Sequence, residues 1–186
     1  MAFYREPFGA GKMAARRVVI IFGLVCLGLG WGLFPLGKGS ALASLEKADK
    51  VVVFKSKRLL MLMKEGEIFK AYRVALGKNP SGHKIKAGDR RTPEGSYVID
   101  SRNSRSKFYL AIHISYPNET DISNAQKRGV SPGGSIMIHG LPNGFSRVDK
   151  LHRVQDWTDG CIAVTNPEMK EIWEYVADGT PIEIKP

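Results

Sequence analysis

The sequence predicts a mainly β domain with one or two short helices, preceded by an apolar export segment. Three observations lead there. Short β-prone runs recur between polar turns from Val51 onward. Only the stretch from Glu168 to Ala177 keeps several apolar residues at helical spacing. Residues 18–36 are uncharged and follow Arg5, Lys12, Arg16 and Arg17, the order of a targeting segment. A chain of 186 residues has room for one ordinary domain and an extension.

The extension, residues 1–43, reads as a signal peptide or an N-terminal membrane anchor. About twenty apolar residues can span a bilayer, whereas secretory cores are usually shorter, so length alone allows both. Ala41 and Ala43 supply the small-residue pattern that precedes a cleavage point, here before Ser44, and Gly28, Gly30 and Gly32 weaken a spanning helix. Both features favour cleavage. Cys26 follows Leu24-Val25 rather than the small residues of a lipoprotein site, and belongs to the apolar core of the segment. The chain is therefore expected to be exported, and to touch the inner membrane only if this segment is retained.

Cleavage would leave Cys161 as the sole cysteine and no internal disulfide. An unpaired cysteine in an exported protein is economically explained by a reactive thiol. The net charge of +10 falls to +6 beyond residue 43. These charges are scattered and interleaved with acids, which argues against a nucleic-acid partner and suits an anionic envelope better.

Residues 47–186 read as one domain. Val51 to Phe54, Arg58 to Met63 and Ile68 to Leu76 predict an antiparallel meander, and Gly77 to Asp89 a surface loop. Gly88-Asp89-Arg90-Arg91-Thr92-Pro93-Glu94-Gly95 is a turn, with φ fixed at Pro93, leading into a strand from Ser96 to Asp100. Phe108 to Tyr116 is the next strand, followed by an irregular stretch with a short helix around Asp121 to Lys127. Ser135 to His139 is a strand, and residues 141–157 form a connection long enough to be a substrate wall. Asn166-Pro167 predicts a capped helix start with Trp173 in the core, and Ile182 to Ile184 a final strand.

The chemistry concentrates in Ile136-Met137-Ile138-His139-Gly140 and in Trp157-Thr158-Asp159-Gly160-Cys161. A strand-borne imidazole and a glycine-flanked cysteine suit acyl transfer, because the thiolate is the nucleophile and the imidazole can take and return its proton. Gly160 leaves room for a carbonyl beside the sulfur, and main-chain N–H groups of Asp159 to Cys161 could hold an oxyanion. Cys161 could instead be a buried packing residue, yet it follows Thr-Asp-Gly rather than lying in an apolar run. Tyr116, Trp157 and Thr158 are candidates for substrate contact. Of the other histidines, His113 reads as a packing residue, His152 as solvated and His83 as incidental. Asn118 and Asp121 read as turn residues. No ligand spacing indicates a metal.

Four features in order make the chain resemble the YkuD-type (YkuD/ErfK) L,D-transpeptidase catalytic domain over about residues 48 to 186. They are the meander, the Gly88 to Gly95 segment, His139-Gly140 and Thr158-Asp159-Gly160-Cys161. The resemblance implies a β-sandwich domain of bacterial cell envelopes acting on peptidoglycan stem peptides, with a part in wall organisation and cell shape. Cys161 would attack the carbonyl at the L-centre of a meso-diaminopimelate residue, expel D-alanine and form a thioester. An amine of a second stem peptide, or of a wall-linked protein, would resolve it; water as acceptor would make the domain a carboxypeptidase or a peptidase releasing wall-linked protein. His139 would be base and then acid, and the Gly140 carbonyl would orient it. Neither a metal nor an organic cofactor is implied. A silent wall-binding domain is the alternative from another class. The commonest family motif has a second histidine before Gly-Cys and an arginine two residues after the cysteine; here Asp159 and Ala163 stand there.

Overall fold

A computed structural model describes residues 46–145 and 151–186. The expected export segment, with Cys26, Ala41, Ala43 and Ser44, lies outside the described residues.

β1 (Lys50–Phe54), β2 (Leu59–Lys64) and β3 (Glu67–Arg73) form the expected antiparallel meander. β4 (Gly95–Ser106) pairs antiparallel with β5 (Tyr109–Ile114), α1 spans Glu119–Lys127, and β6 (Met137–His139) pairs with β5. β7 (Ile162–Ala163) runs parallel to β6, α2 spans Asn166–Tyr175, and β8 (Pro181–Lys185) inserts between β1 and β4. The result is one eight-stranded sheet in the order β3-β2-β1-β8-β4-β5-β6-β7.

β4 is far longer than the predicted Ser96 to Asp100. Gly95 to Val98 pair with β8, and Ile99 to Ser106 with β5, with a register shift between Ile99 and Ser101. One strand thus serves both halves of the sheet. Its distal part, Ser101 to Ser106, is polar and mostly exposed. It therefore carries no apolar alternation by which the sequence could announce a strand.

The chain leaving β3 returns to the opposite edge of the sheet. Ala75 and Ala163 exchange both main-chain hydrogen bonds, at 2.9 and 2.8 Å, and Gly77 bridges Thr158. The sheet wraps round a single core of Val51, Val53, Leu60, Leu62, Ile99, Ile112, Ile114, Ile138 and Ile162, against which α2 packs Met169 and Ile172. The two bridges cover the outer edge of β7, while β3 itself pairs only with β2 and stays an edge strand.

α2 is capped by Thr165 rather than by Asn166: Thr165 Oγ1 accepts from Glu168 N, while the Glu168 carboxylate accepts from Thr165 N at 2.9 Å. Asn166 takes another role, its Oδ1 accepting from Leu141 N at 2.8 Å and so holding the chain just past β6. α1 has the same kind of capping box, between Asn118 and Asp121.

Polar knots hold the loop from Gly77 to Glu94. Asp89 accepts from Ile85 N, Lys86 N and Arg91 N at 2.7, 3.0 and 3.1 Å and pairs with Lys84 at 2.7 Å. Burial works against its charge, but the ammonium and the three N–H donors win and bring its carboxyl to about 2. Lys55, only 2% exposed, donates to Gly82 O, Thr92 O and Glu94 Oε1 at 2.6, 2.8 and 2.8 Å. Burial lowers its pKa, with the Glu94 carboxylate acting in the opposite sense.

Three readings of single residues change. His83 is a bridge: its Nδ1 accepts from Glu94 N at 3.0 Å, so its proton is on Nε2, 3.0 Å from Asp121 Oδ1. Asp121 is buried, and it also accepts from Tyr97 Oη and Asn118 N, each at 3.0 Å, beyond any part in a turn. His113 is half-exposed and pairs with Asp100 at 2.6 Å across β4 and β5, instead of packing in the core.

Asp89→Asn should destabilise the fold at neutral pH by up to about 2 kcal/mol. Because the folded pKa is depressed, this stability is present above the unfolded value near 4 and lost as pH falls through about 2. Chemical denaturation of both proteins across that range should show the gap closing with acid; a gap independent of pH would contradict the electrostatic origin.

Candidate active site

β6 ends in His139 and β7 begins directly after Cys161, and the two strands lie side by side with Ile138 opposite Ile162 and His139 opposite Ala163. Both side chains line one cleft of about 420 Å³, together with Phe108, Met137, Trp157 and Asp159. Among the sequence candidates, Trp157, Thr158 and Asp159 are brought to this cleft as well.

His139 is buried, with its Nδ1 2.7 Å from the Gly140 carbonyl. A carbonyl only accepts, so the proton is held on Nδ1 and Nε2 is left with its lone pair. The ring packs between Phe108, centroid 4.5 Å away, and Trp157, 5.8 Å away and nearly edge-on. Burial disfavours the imidazolium and lowers its pKa; the Gly140 carbonyl opposes this, and nearby His152 adds to it. The buried site thus favours the neutral imidazole.

Cys161 is half-buried. Its thiol faces the main chain before β6, with Sγ 3.6 Å from Ser135 O. Burial raises the thiol pKa, the Met137 N–H and Lys84 lower it, and Asp159 raises it. The resting pair is consequently thiol and imidazole, not thiolate and imidazolium.

The turn before the thiol is tied from inside. Thr158 Oγ1 accepts from Gly160 N at 3.1 Å and donates to Cys161 O at 2.7 Å. The hydroxyl proposed for substrate contact is therefore spent on the turn. It also occupies the Gly160 N–H, which removes that group as a free oxyanion donor. Gly160 has φ +133°, and a Cβ there would sit 2.7 Å from Arg91 O. Only glycine fits this approach.

Asp159 is 77% exposed, with Lys78 Nζ at 3.4 Å and Arg90 Nε at 3.7 Å from its Oδ1. These cations offset the anion that stands beside the thiol. Neither was legible in the sequence, since Lys78 lies 81 residues upstream of Asp159, and Arg90 lies in the same loop without periodicity.

Two further placements differ from expectation. Tyr116 is 3% exposed, lies against Tyr97 in an edge contact at 6.0 Å and donates to Pro132 O at 3.0 Å, so it belongs to the core and not to the cleft. His152 is 9% exposed, not solvated, and lines an apolar hollow with Leu141, Pro142, Phe145 and Trp157. Asp156 was missed entirely. Its carboxylate accepts from Leu76 N at 2.8 Å and from Arg58 Nη2 at 2.6 Å, anchoring the residue before Trp157 to the meander.

Comparison with known proteins places these features in context. The family described as the L,D-transpeptidase catalytic domain, YkuD, matches residues 48–184. The candidate L,D-transpeptidase YafK of Escherichia coli (strain K12) is 30% identical over 132 residues, 68% of this chain and 46% of that protein. The helical cell shape determining protein Pgp2 from Campylobacter jejuni superposes with a TM-score of 0.57 at 27% identity, over 77% of this chain and 51% of that one. Bd1075 of Bdellovibrio bacteriovorus gives 0.50 at 26% identity, over 75% and 51%. The chain spans about half the length of the relatives it matches.

Alkylation of Cys161 by iodoacetamide should increase with pH and inflect above the ordinary cysteine range. Asp159→Asn should move that inflection down, because it removes an anion that raises the thiol pKa; an inflection that stays put or rises would contradict the assignment. Gly160→Ala should cost about 1–3 kcal/mol by displacing the turn from Arg91, measurable as a lower melting temperature.

Proposed function

The chain belongs to the YkuD family of L,D-transpeptidase catalytic domains, and from that premise we propose that it transfers acyl groups of peptidoglycan stem peptides through a Cys161 thioester, in a bacterial envelope to which residues 1–43 deliver it. The observation that carries this reading is the shared cleft of Cys161 and His139, in which the Gly140 carbonyl presets the tautomer.

The chemistry follows from the resting state. With both groups neutral, the thiol proton moves to His139 Nε2 as the sulfur attacks the substrate carbonyl, and the Nδ1 proton stays with Gly140 O. Met137 N–H steadies the sulfur as it gains charge. The remaining main-chain donors of the turn, at Asp159 and Cys161, would meet the oxyanion. Collapse of the tetrahedral adduct breaks the bond to the terminal D-alanine, whose nitrogen takes the proton from Nε2. The thioester is left with a neutral imidazole, ready to deprotonate an incoming amine from a second stem peptide or a wall-linked protein. The amine attacks, the C–S bond breaks, and the sulfur recovers its proton. No metal or organic cofactor enters this sequence. Trp157 and Phe108 keep the imidazole dry and aligned.

Incubation of the protein with a disaccharide tetrapeptide, read by mass, should give D-alanine and crosslinked dimers, through a protein adduct heavier by the acyl group. Cys161→Ser should abolish turnover while keeping the melting temperature, since a serine hydroxyl is too weak an acid for this site. His139→Ala should slow acylation by at least about 100-fold. D-Alanine without dimers would assign hydrolysis instead of transfer, and turnover that survives Cys161→Ser would overturn the thiol mechanism.

A further inference from the structure

The rim of the cleft carries a charge cluster to which the reaction above gives no role. Lys78 and Arg90 face the single carboxylate of Asp159, and all three side chains are exposed. Separations of 3.4 and 3.7 Å are long for charge-assisted hydrogen bonds, which close to about 2.7–2.9 Å when well formed. These pairs are loose, and a better placed carboxylate can compete for the cations.

The backbone beneath them is tightly held. Lys78 N donates to Thr158 O at 2.9 Å, and Asn79 N to Arg90 O at 3.1 Å. A Cβ at Gly77 would lie 2.2 Å from Arg90 O, so the two loops meet without space for a side chain between them. Arg90 itself has φ 59°, a left-handed conformation that costs free energy in a non-glycine residue and is kept only where its surroundings enforce it. Three chain segments are thus locked together at the main chain while the charges they present stay open to solvent.

Beside these groups lies a second cleft of about 380 Å³, lined by Lys84, Arg90, Gly133, Gly134 and Asp159. Asp159 is common to it and to the cleft of Cys161. Lys84 is neutralised by Asp89 at 2.7 Å, which leaves Lys78 and Arg90 against Asp159 and one positive charge in excess.

We propose that Lys78 and Arg90, held apart by Asp159, form a carboxylate-binding subsite that fixes the stem peptide next to the thiol. This rests on the acyl-transfer reading for the identity of the ligand. A tetrapeptide stem offers two carboxylates near the acyl group, that of the leaving D-alanine and that of the diaminopimelate side chain. Either would draw a cation from Asp159 and gain a bidentate partner in Arg90.

The test uses the full chain carrying Cys161→Ala, so that peptide binds without reacting, titrated by calorimetry. The probes are a tetrapeptide ending in D-alanine, its C-terminal carboxamide, and the form amidated on the diaminopimelate side chain. At least one amide should bind about tenfold more weakly than the acid, and the one that does identifies the carboxylate. Lys78→Gln with Arg90→Gln should erase the difference, and Asp159→Asn should tighten the acid while leaving the weaker amide unchanged. Equal affinity for all three peptides, absence of binding, or a preference that survives loss of both cations would overturn the subsite. Turnover by the unsubstituted protein is read separately. A peptide bound by its carboxylate but never processed would sink the reaction and keep the subsite, and one processed with no regard to amidation would do the reverse.

Discussion

Between Ala75 and Ala163 two main-chain hydrogen bonds join the chain leaving the meander to the strand that follows Cys161. β7 has only two residues and β6 three, too few to hold a geometry by strand pairing on one side. β7 is held because it is paired on both sides, by β6 and by the segment after β3. The same join carries Gly77 to Thr158 and Lys78 to the edge of the turn before Cys161. Remove it, and the sheet would open and the thiol, the rim cations and the Gly88 to Gly95 loop would lose their common frame. Asp156 reinforces the join from the other direction through Leu76 N and Arg58.

Burial sets the character of the site. It lowers the imidazole pKa and raises the thiol pKa, so the folded site favours the uncharged form of both groups. A preformed thiolate would be open to oxidants. A neutral pair limits that exposure, and under the proposed reaction the imidazole would act as a general base. The aromatic packing of Phe108 and Trp157 against His139 serves the same end by excluding water.

Asp159 and Ala163 mark where the chain departs from the commonest family motif. An isolated carboxylate one residue before Gly-Cys would hinder thiolate formation, but here it stands between Lys78 and Arg90. The substitution therefore redistributes charge across three loops rather than simply adding an anion. Relatives of similar size of match, YafK, Pgp2 and Bd1075, are about twice as long as the part they share with this chain, so the common unit is the domain that holds the cleft.

How much was legible follows from which interactions are local. The meander, α2 and the last strand announce themselves because periodicity, turn chemistry and capping act over a few residues. His139 and Cys161 stand out because their neighbours, a strand end and a Gly-Cys turn, are written beside them. The distal half of β4 was hidden, since polar residues from Ser101 to Ser106 pair through their main chain and leave no pattern. The surroundings of Tyr116, His152 and His83 escape the sequence for one reason: whether an aromatic or a histidine is buried depends on what lies across the fold from it, and Pro132, Leu141 and Asp121 are not their neighbours in the chain. Local composition, then, determined the meander, α2, the last strand and the choice of Cys161 and His139 as the candidate pair. Only tertiary structure decided the closure of the sheet, the neutral state of that pair and the cations around Asp159, because each depends on burial or charge contributed by segments that meet only when the chain has folded.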